Sequence, residues 1–129
     1  MHKRFILAIL LITILSNICS SCKGDMKTSK ELEKEFWEKG KPQPSGKWII
    51  FPQKVAIEFV EACEKNKVII LGIDGFFVKG DTIQPSMANS LDFTNSNYSE
   101  YNTSNRYLYS IDFLNKKDTL MYFEIVCKE

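Results

Sequence analysis

The first fifteen residues decide how much of this 129-residue chain has to fold. Residues 5–15 read FILAILLITIL, an apolar run broken only by Thr13 and preceded by Lys3 and Arg4. A basic segment ahead of a short apolar one is the layout of a secretory signal. At about 11 residues the run is too short to cross roughly 30 Å of hydrocarbon as a permanent helix. Setting aside residues 1–21 removes two cations and no anion, and leaves 15 Lys and Arg against 16 Asp and Glu. The remaining length, about 108 residues, supports one domain at most. A net charge near −1 disfavours a strongly basic nucleic-acid binder, and the length disfavours a multidomain enzyme.

Cysteine usage bears on the address. Two of the four cysteines close the apolar run, in SNICSSC at residues 16–22. This resembles the bacterial lipoprotein signal, in which small residues precede a cysteine that becomes the lipidated N-terminus. Cys22 fits that role, because Ser20 and Ser21 are small whereas bulky Ile18 directly precedes Cys19. The departure is Cys19 itself, where such signals usually carry an aliphatic residue. The resemblance implies a signal peptide at 1–21 and a protein held at the bacterial cell envelope, on its periplasmic or surface face. Acyl chains bury methylenes at about 0.8 kcal/mol each, so several chains give durable attachment. The alternative is an ordinary cleaved signal with two incidental cysteines.

Beyond the leader, residues 22–47 are expected to form a polar tether with one short helix. Thr28, Ser29, Lys30 and Glu31 match an S/T-x-x-E start, and Leu32, Phe36 and Trp37 recur at helical spacing among Glu and Lys. The sequence GKPQPSG at 40–46 then stops any helix and is read as a stiff spacer. The domain proper is expected at 48–129. Residues 48–51 suit a strand, and Pro52 suits a first helical position. From 52 to 66, Val55, Phe59 and Cys63 fall at i, i+4, i+8 opposite Glu58, Glu61 and Glu64, which marks an amphipathic helix.

Residues 67–78 are β-rich and apolar enough for a central strand. Gly72 and Gly75 flank Asp74 and indicate a bulge or a close backbone approach. Lys79, Gly80 and Asp81 form a tight turn into a returning strand near 82–93, which Pro85 confines to an edge or a bulge. Residues 94–105 are small and polar and form a long loop. The stretch 106–115 fits a helix, with Thr103 or Ser104 as cap, or a strand alternating Tyr107, Tyr109, Ile111 and Phe113; propensity leans to the strand. Residues 119–127 form a clear strand with Met121, Phe123, Ile125 and Cys127 on one face.

The chemistry visible in these residues is sparse. His2, the single histidine, lies in the leader, so Ser-His-Asp and Cys-His hydrolysis lose their base. No cofactor motif and no metal-ligand spacing stands out. Cys63 and Cys127 are either two buried small hydrophobes or a disulfide, worth up to about 4 kcal/mol in the loop-entropy model. Asp81 sits where turns routinely place Asp, whereas Asp74 and Asp92 fall within strand-like sequence and need a partner or solvent. They could face each other across the hairpin. Residues 74–129 carry 8 acidic and 5 basic side chains, net −3. With Tyr98 and Tyr101 among adaptable polar neighbours, Asp74, Asp81 and Asp92 are the candidates for contact with a protein partner.

Residues 68–78 (VIILGIDGFFV), 82–86 (TIQPS), 90–93 (SLDF) and 122–126 (YFEIV) together resemble small immunity proteins of bacterial polymorphic-toxin systems. With the helix at 52–66 the likeness covers about residues 52–127. It departs at the polar stretch 94–105 and at the leader. The resemblance implies a helix before the last strand, near 104–115, against local propensity. The expected fold is therefore α+β: a small antiparallel-rich sheet of strands near 48–51, 67–78, 82–93 and 119–127, packed by helices near 52–66 and 104–115. The resemblance also implies an inhibitor that occludes a cognate protein toxin and has no catalytic residues, and the lipoprotein-like leader adds a lipid anchor to that expectation. No nucleic acid and no small-molecule substrate is expected as a partner. The alternative is a membrane-anchored accessory lipoprotein of the envelope with another partner.

Overall fold

The first helix opens with a capping box at Thr28. Its hydroxyl accepts from the Glu31 backbone N–H at 3.2 Å, and the Glu31 carboxylate accepts from the Thr28 N–H at 3.5 Å. Two donors that a helix start leaves unpaired are thereby satisfied, and helix α1 (Ser29–Phe36) follows, closed by a 3-10 turn at Trp37–Lys39. The computed structural model describes residues 25–95 and 102–129.

Helix α1 is not part of a tether. Leu32 and Phe36, one turn apart, are both buried in the main core. Phe36 packs edge-on against Phe51 and Phe59, with centroids 6.2 and 5.3 Å away. The Lys27 backbone N–H donates to Asn66 at 2.9 Å, which ties the helix start to the rest of the domain. The expected stiff spacer instead contains strand β1 (Lys41–Pro42), paired with β2 (Ile49–Pro52) through Lys41–Ile50 and Pro42–Ile49. The domain therefore takes in residues that the sequence reading assigned to the tether.

Pro52 ends β2 and serves as N-cap of α2 (Gln53–Lys65), rather than as its first residue. Its fixed φ of −60° suits both roles, and a cap needs no N–H of its own. The expected amphipathic pattern holds: Ala56, Phe59, Val60 and Cys63 are buried, and Phe59 stacks on Phe51 at 5.1 Å. Strands β3 (Ile70–Lys79) and β4 (Thr82–Asp92) form a hairpin about Gly80 and Asp81, with Lys79 opposite Thr82. The ambiguous stretch is helix α3 (Thr103–Asn115), capped by the Asn102 side chain on the Asn105 N–H at 2.9 Å rather than by Thr103 or Ser104. Tyr107, Ser110 and Leu114 face inward at helical spacing, and the Tyr107 hydroxyl donates to the Val68 carbonyl at 2.7 Å.

Strand β5 (Tyr122–Cys127) ends the α+β fold. The five strands run in the order β1-β2-β5-β3-β4, each antiparallel to its neighbours. Pro85 lies on β4, an edge of the sheet, where its missing donor costs no ladder bond. The core lies on the inner face, where Ile73 is opposite both Ile125 and Leu91 and Phe51 is opposite Phe123. Gln53 joins the helix layer by donating its amide to the carbonyls of Leu114 and Lys117, at 2.6 and 2.9 Å, at the end of α3.

Leu32→Ala distinguishes a core helix from a tether. Leu32 is 1% exposed, and truncating a buried Leu costs about 2–5 kcal/mol. Urea unfolding of the variant is expected to show a loss in that range with an unchanged slope. A shift within a few tenths of a kcal/mol would mean that α1 adds nothing to the core.

Candidate functional site

On β3, the alternation that sends Ile73 and Gly75 inward sends Gly72, Asp74 and Phe76 outward. The same parity places Tyr122, Glu124 and Val126 of β5 on the outer face, opposite Phe76, Asp74 and Gly72. Towards the hairpin end this face is apolar and covered. Phe76 is buried there, with the Trp48 ring 5.5 Å from its own, and the Lys41 ammonium reaches the Gly80 carbonyl at 3.4 Å. Towards the other end it is open and acidic.

The opening comes from an irregularity in the β3–β4 ladder. Ile73 pairs with Leu91, but Gly75 pairs with Ser86, so residues 87–90 loop out opposite Asp74. The glycines allow this. A Cβ at 75 would sit 2.3 Å from the Asn89 carbonyl oxygen, and one at 72 would sit 2.5 Å from that of Leu91. Any side chain at either position would displace the β4 backbone, which is the close approach the sequence indicated. Ser90 fastens the bulge by accepting from the Gly75 N–H at 3.2 Å and donating to the Ser86 carbonyl at 2.8 Å. The result is a cleft of about 610 Å³ lined by Gly72, Asp74, Ser90, Asp92, Val126 and, at the bulge, Met87, whose side chain is 87% exposed.

Asp74 and Asp92 do share a face, as their spacing suggested: Asp92 pairs with Gly72, one pleat from Asp74. Asp74 also stands directly opposite Glu124. The sequence reading missed Glu124. Its outward direction was legible from the alternation of Phe123 and Ile125, but its partner depends on the β3–β5 register. Asp81 does not belong to the group. It lies in the hairpin turn beyond Lys79, and roughly 17 Å of strand separates Lys79 from Asp74 at about 3.3 Å per residue. Tyr98, Tyr101 and Cys22 lie outside the described residues. Cys63 and Cys127 meet on the inner side, sulfur to sulfur at 3.8 Å, both as free thiols.

The carboxylates release their protons in sequence. Asp92 is held below the usual range because the Thr94 hydroxyl and backbone N–H both donate to it. Asp74 is raised, first by burial and then by the charge of Asp92. Glu124 ionises late and therefore feels its neighbours already charged: burial, Asp74 and Glu33 together push it up to about 7. Glu33, on α1, is raised by burial and by Glu129. The row thus runs from β4 across β3 to β5, and the charge of Glu33 on α1 adds to it at Glu124. Among the described residues the three ion pairs join Lys27 to Glu35, Lys30 to Glu129 and Lys116 to Asp112, so none neutralises Asp74, Asp92 or Glu124. Such a row can accept from ammonium or guanidinium donors, and an incoming cation relieves its internal repulsion.

Glu124 gives the protein a pH dependence of known sign. The unfolded carboxyl ionises near 4.5 and the folded one near 7, so between these values the unfolded chain gives up its proton first. Stability is expected to fall as pH rises through that window and to level off above it. Glu124→Gln should match the parent near pH 4 and exceed it at pH 8. The gain is about 1–2 kcal/mol once solvent screening of a half-buried group is allowed for. Equal stabilities at both pH values would contradict the crowding of this carboxyl. Comparison with known proteins found no matching family model, no matching curated protein and no matching solved structure.

Proposed function

We propose that the chain is a lipid-anchored immunity protein that neutralises a bacterial toxin by occluding it, with the open acidic face as its contact surface. One observation carries the choice of face: Asp74 and Glu124 are directly opposed across β3 and β5. Like charges in that position destabilise a sheet pair. Folding gains nothing from them, and residues that break a local rule without a local return belong to function more often than to structure. A partner presenting Lys or Arg turns the repulsion into charge-assisted contact. The cleft between the carboxylates and the β4 bulge admits such a side chain, and Met87 offers an adaptable apolar contact beside it. The composition supports the same reading, since a chain whose single histidine is in its leader is poorly equipped for hydrolysis and well able to block a surface.

The test co-expresses the chain with a candidate toxin taken from the genes next to its own and measures survival and complex formation. Asp74→Lys with Asp92→Lys is expected to abolish protection and to slow association by about tenfold or more at low salt, with the difference narrowing as salt rises. Asp81→Lys, on the turn outside the row, should protect as the parent does. Full protection by the double variant would put the interface elsewhere. Protection at amounts well below one inhibitor per toxin would mean turnover rather than occlusion.

The anchor is tested separately. With lipid on Cys22, Cys22→Ala is expected to move the protein out of the membrane fraction or to stop its processing. Unchanged fractionation and unchanged lipid labelling would contradict the lipoprotein reading.

A further inference from the structure

Cys63 lies in the last full turn of α2 and is fully buried, whereas Cys127 is the last residue of β5 and is partly exposed. Their sulfurs are 3.8 Å apart, although 64 residues separate them in sequence. A covalent bond requires about 2.05 Å, so closure brings the two sulfurs together by less than about 2 Å. Both elements that carry the thiols are well anchored. Cys127 pairs with Ile70 on β3, and the Lys128 N–H donates to the Ile69 carbonyl at 2.8 Å, which holds the end of the chain in place.

We propose that Cys63 and Cys127 are an ordered redox pair, with Cys127 the entry thiol and Cys63 the resolving thiol of an intramolecular disulfide. The oxidant is a small disulfide such as oxidised glutathione, or a protein disulfide of the same class. The Cys127 thiolate attacks one sulfur of that disulfide, its S–S bond breaks, and one small thiol leaves. Cys63 then gives up its proton and attacks the Cys127 sulfur, and the second small thiol leaves. Two protein thiols are oxidised, one external disulfide is reduced to two thiols, and the protein gains one S–S bond.

The order of events follows from access and acidity. Cys63 has no route to a bulky oxidant, and both its hydrogen bond with Cys127 and its burial push its thiol up, so it stays protonated until a sulfur electrophile is beside it. Cys127 has surface to offer. In an oxidising compartment the pair closes, and in a reducing one it stays as two thiols. Closure would link α2 to β5 around a loop containing β3, β4 and α3. It would fix the strand that carries Glu124, so the staple supports the outer face from the inner side. This inference is independent of the partner proposed for that face.

The experiment treats the purified full chain with oxidised glutathione, caps remaining thiols with N-ethylmaleimide and maps the peptides. The expected product is the Cys63 peptide joined to the Cys127 peptide in the monomer. Its melting temperature should rise by several degrees and return on reduction. Cys63→Ala should stop the reaction at a stable glutathione adduct on Cys127. Cys127→Ser, a change at a partly exposed site, should leave Cys63 unmodified. A wild-type chain that keeps both thiols, or that holds glutathione on Cys127 with Cys63 still free, would overturn the pair. Glutathione on Cys63 in Cys127→Ser would overturn the order.

Discussion

A Cβ at position 75 would lie 2.3 Å from the Asn89 carbonyl oxygen, and one at position 72 would lie 2.5 Å from that of Leu91. Real side chains do not tolerate such contacts, so β4 can cross β3 this closely only because both positions are glycine. The crossing shifts the ladder between Ile73 and Gly75 and pushes residues 87–90 out of the pairing. It leaves the Asp74 carboxyl beside an open cleft instead of under a neighbouring strand, and it turns Met87 to solvent. The inner face keeps its register on either side, with Ile73 against Leu91 and Gly75 against Ser86. One local concession on β3 thus separates a closed apolar core from an open polar face.

The open face carries a cost that the rest of the molecule absorbs. Burial, together with the charges of Asp74 and Glu33, makes Glu124 keep its proton to about pH 7, and Asp74 is raised by burial and by Asp92. The inner side supplies the rigidity needed to hold them there: Phe51, Phe59 and Phe36 interlock, Tyr107 anchors α3 to Val68, and Gln53 closes the end of α3. On the proposed reading the repulsion is released when a basic partner docks, so the same charges set the rate of encounter and the preference for a partner. A membrane anchor at Cys22 would hold that face close to where such a partner enters the cell envelope.

Dense local patterns were legible in the sequence, and sparse ones with distant partners were not. Helix α2 repeats its apolar residues over three turns and was readable within a residue at each end. Strand β5 alternates through Phe123 and Ile125, although it begins at Tyr122, three residues later than expected. The pair Gly72 and Gly75 around Asp74 announced a close approach, because few other reasons put two glycines inside so apolar a strand. Helix α1 offered only Leu32 and Phe36 among charges, too little to tell a solvated helix from a core one. Its burial depends on Phe51 and Phe59, which are remote in sequence. The 106–115 stretch has β-prone residues throughout, and it is a helix because Tyr107, Ser110 and Leu114 meet a core that local propensity does not see. For the site the same rule held: Asp74 and Asp92 were found through the hairpin, Glu124 was missed because its partner strand is some fifty residues away, and Asp81 was grouped with them by residue type alone.

On the proposed reading the outer face around the β4 bulge receives the partner. Amide hydrogen exchange of the chain, free and with the toxin bound, measures this directly, because β4 is an edge strand whose outward-facing amides exchange with solvent until something covers them. Slower exchange is expected across residues 82–95, with α3 on the opposite side of the sheet unchanged. Protection confined to residues 103–115, with β4 exchanging as it does in the free protein, would contradict it.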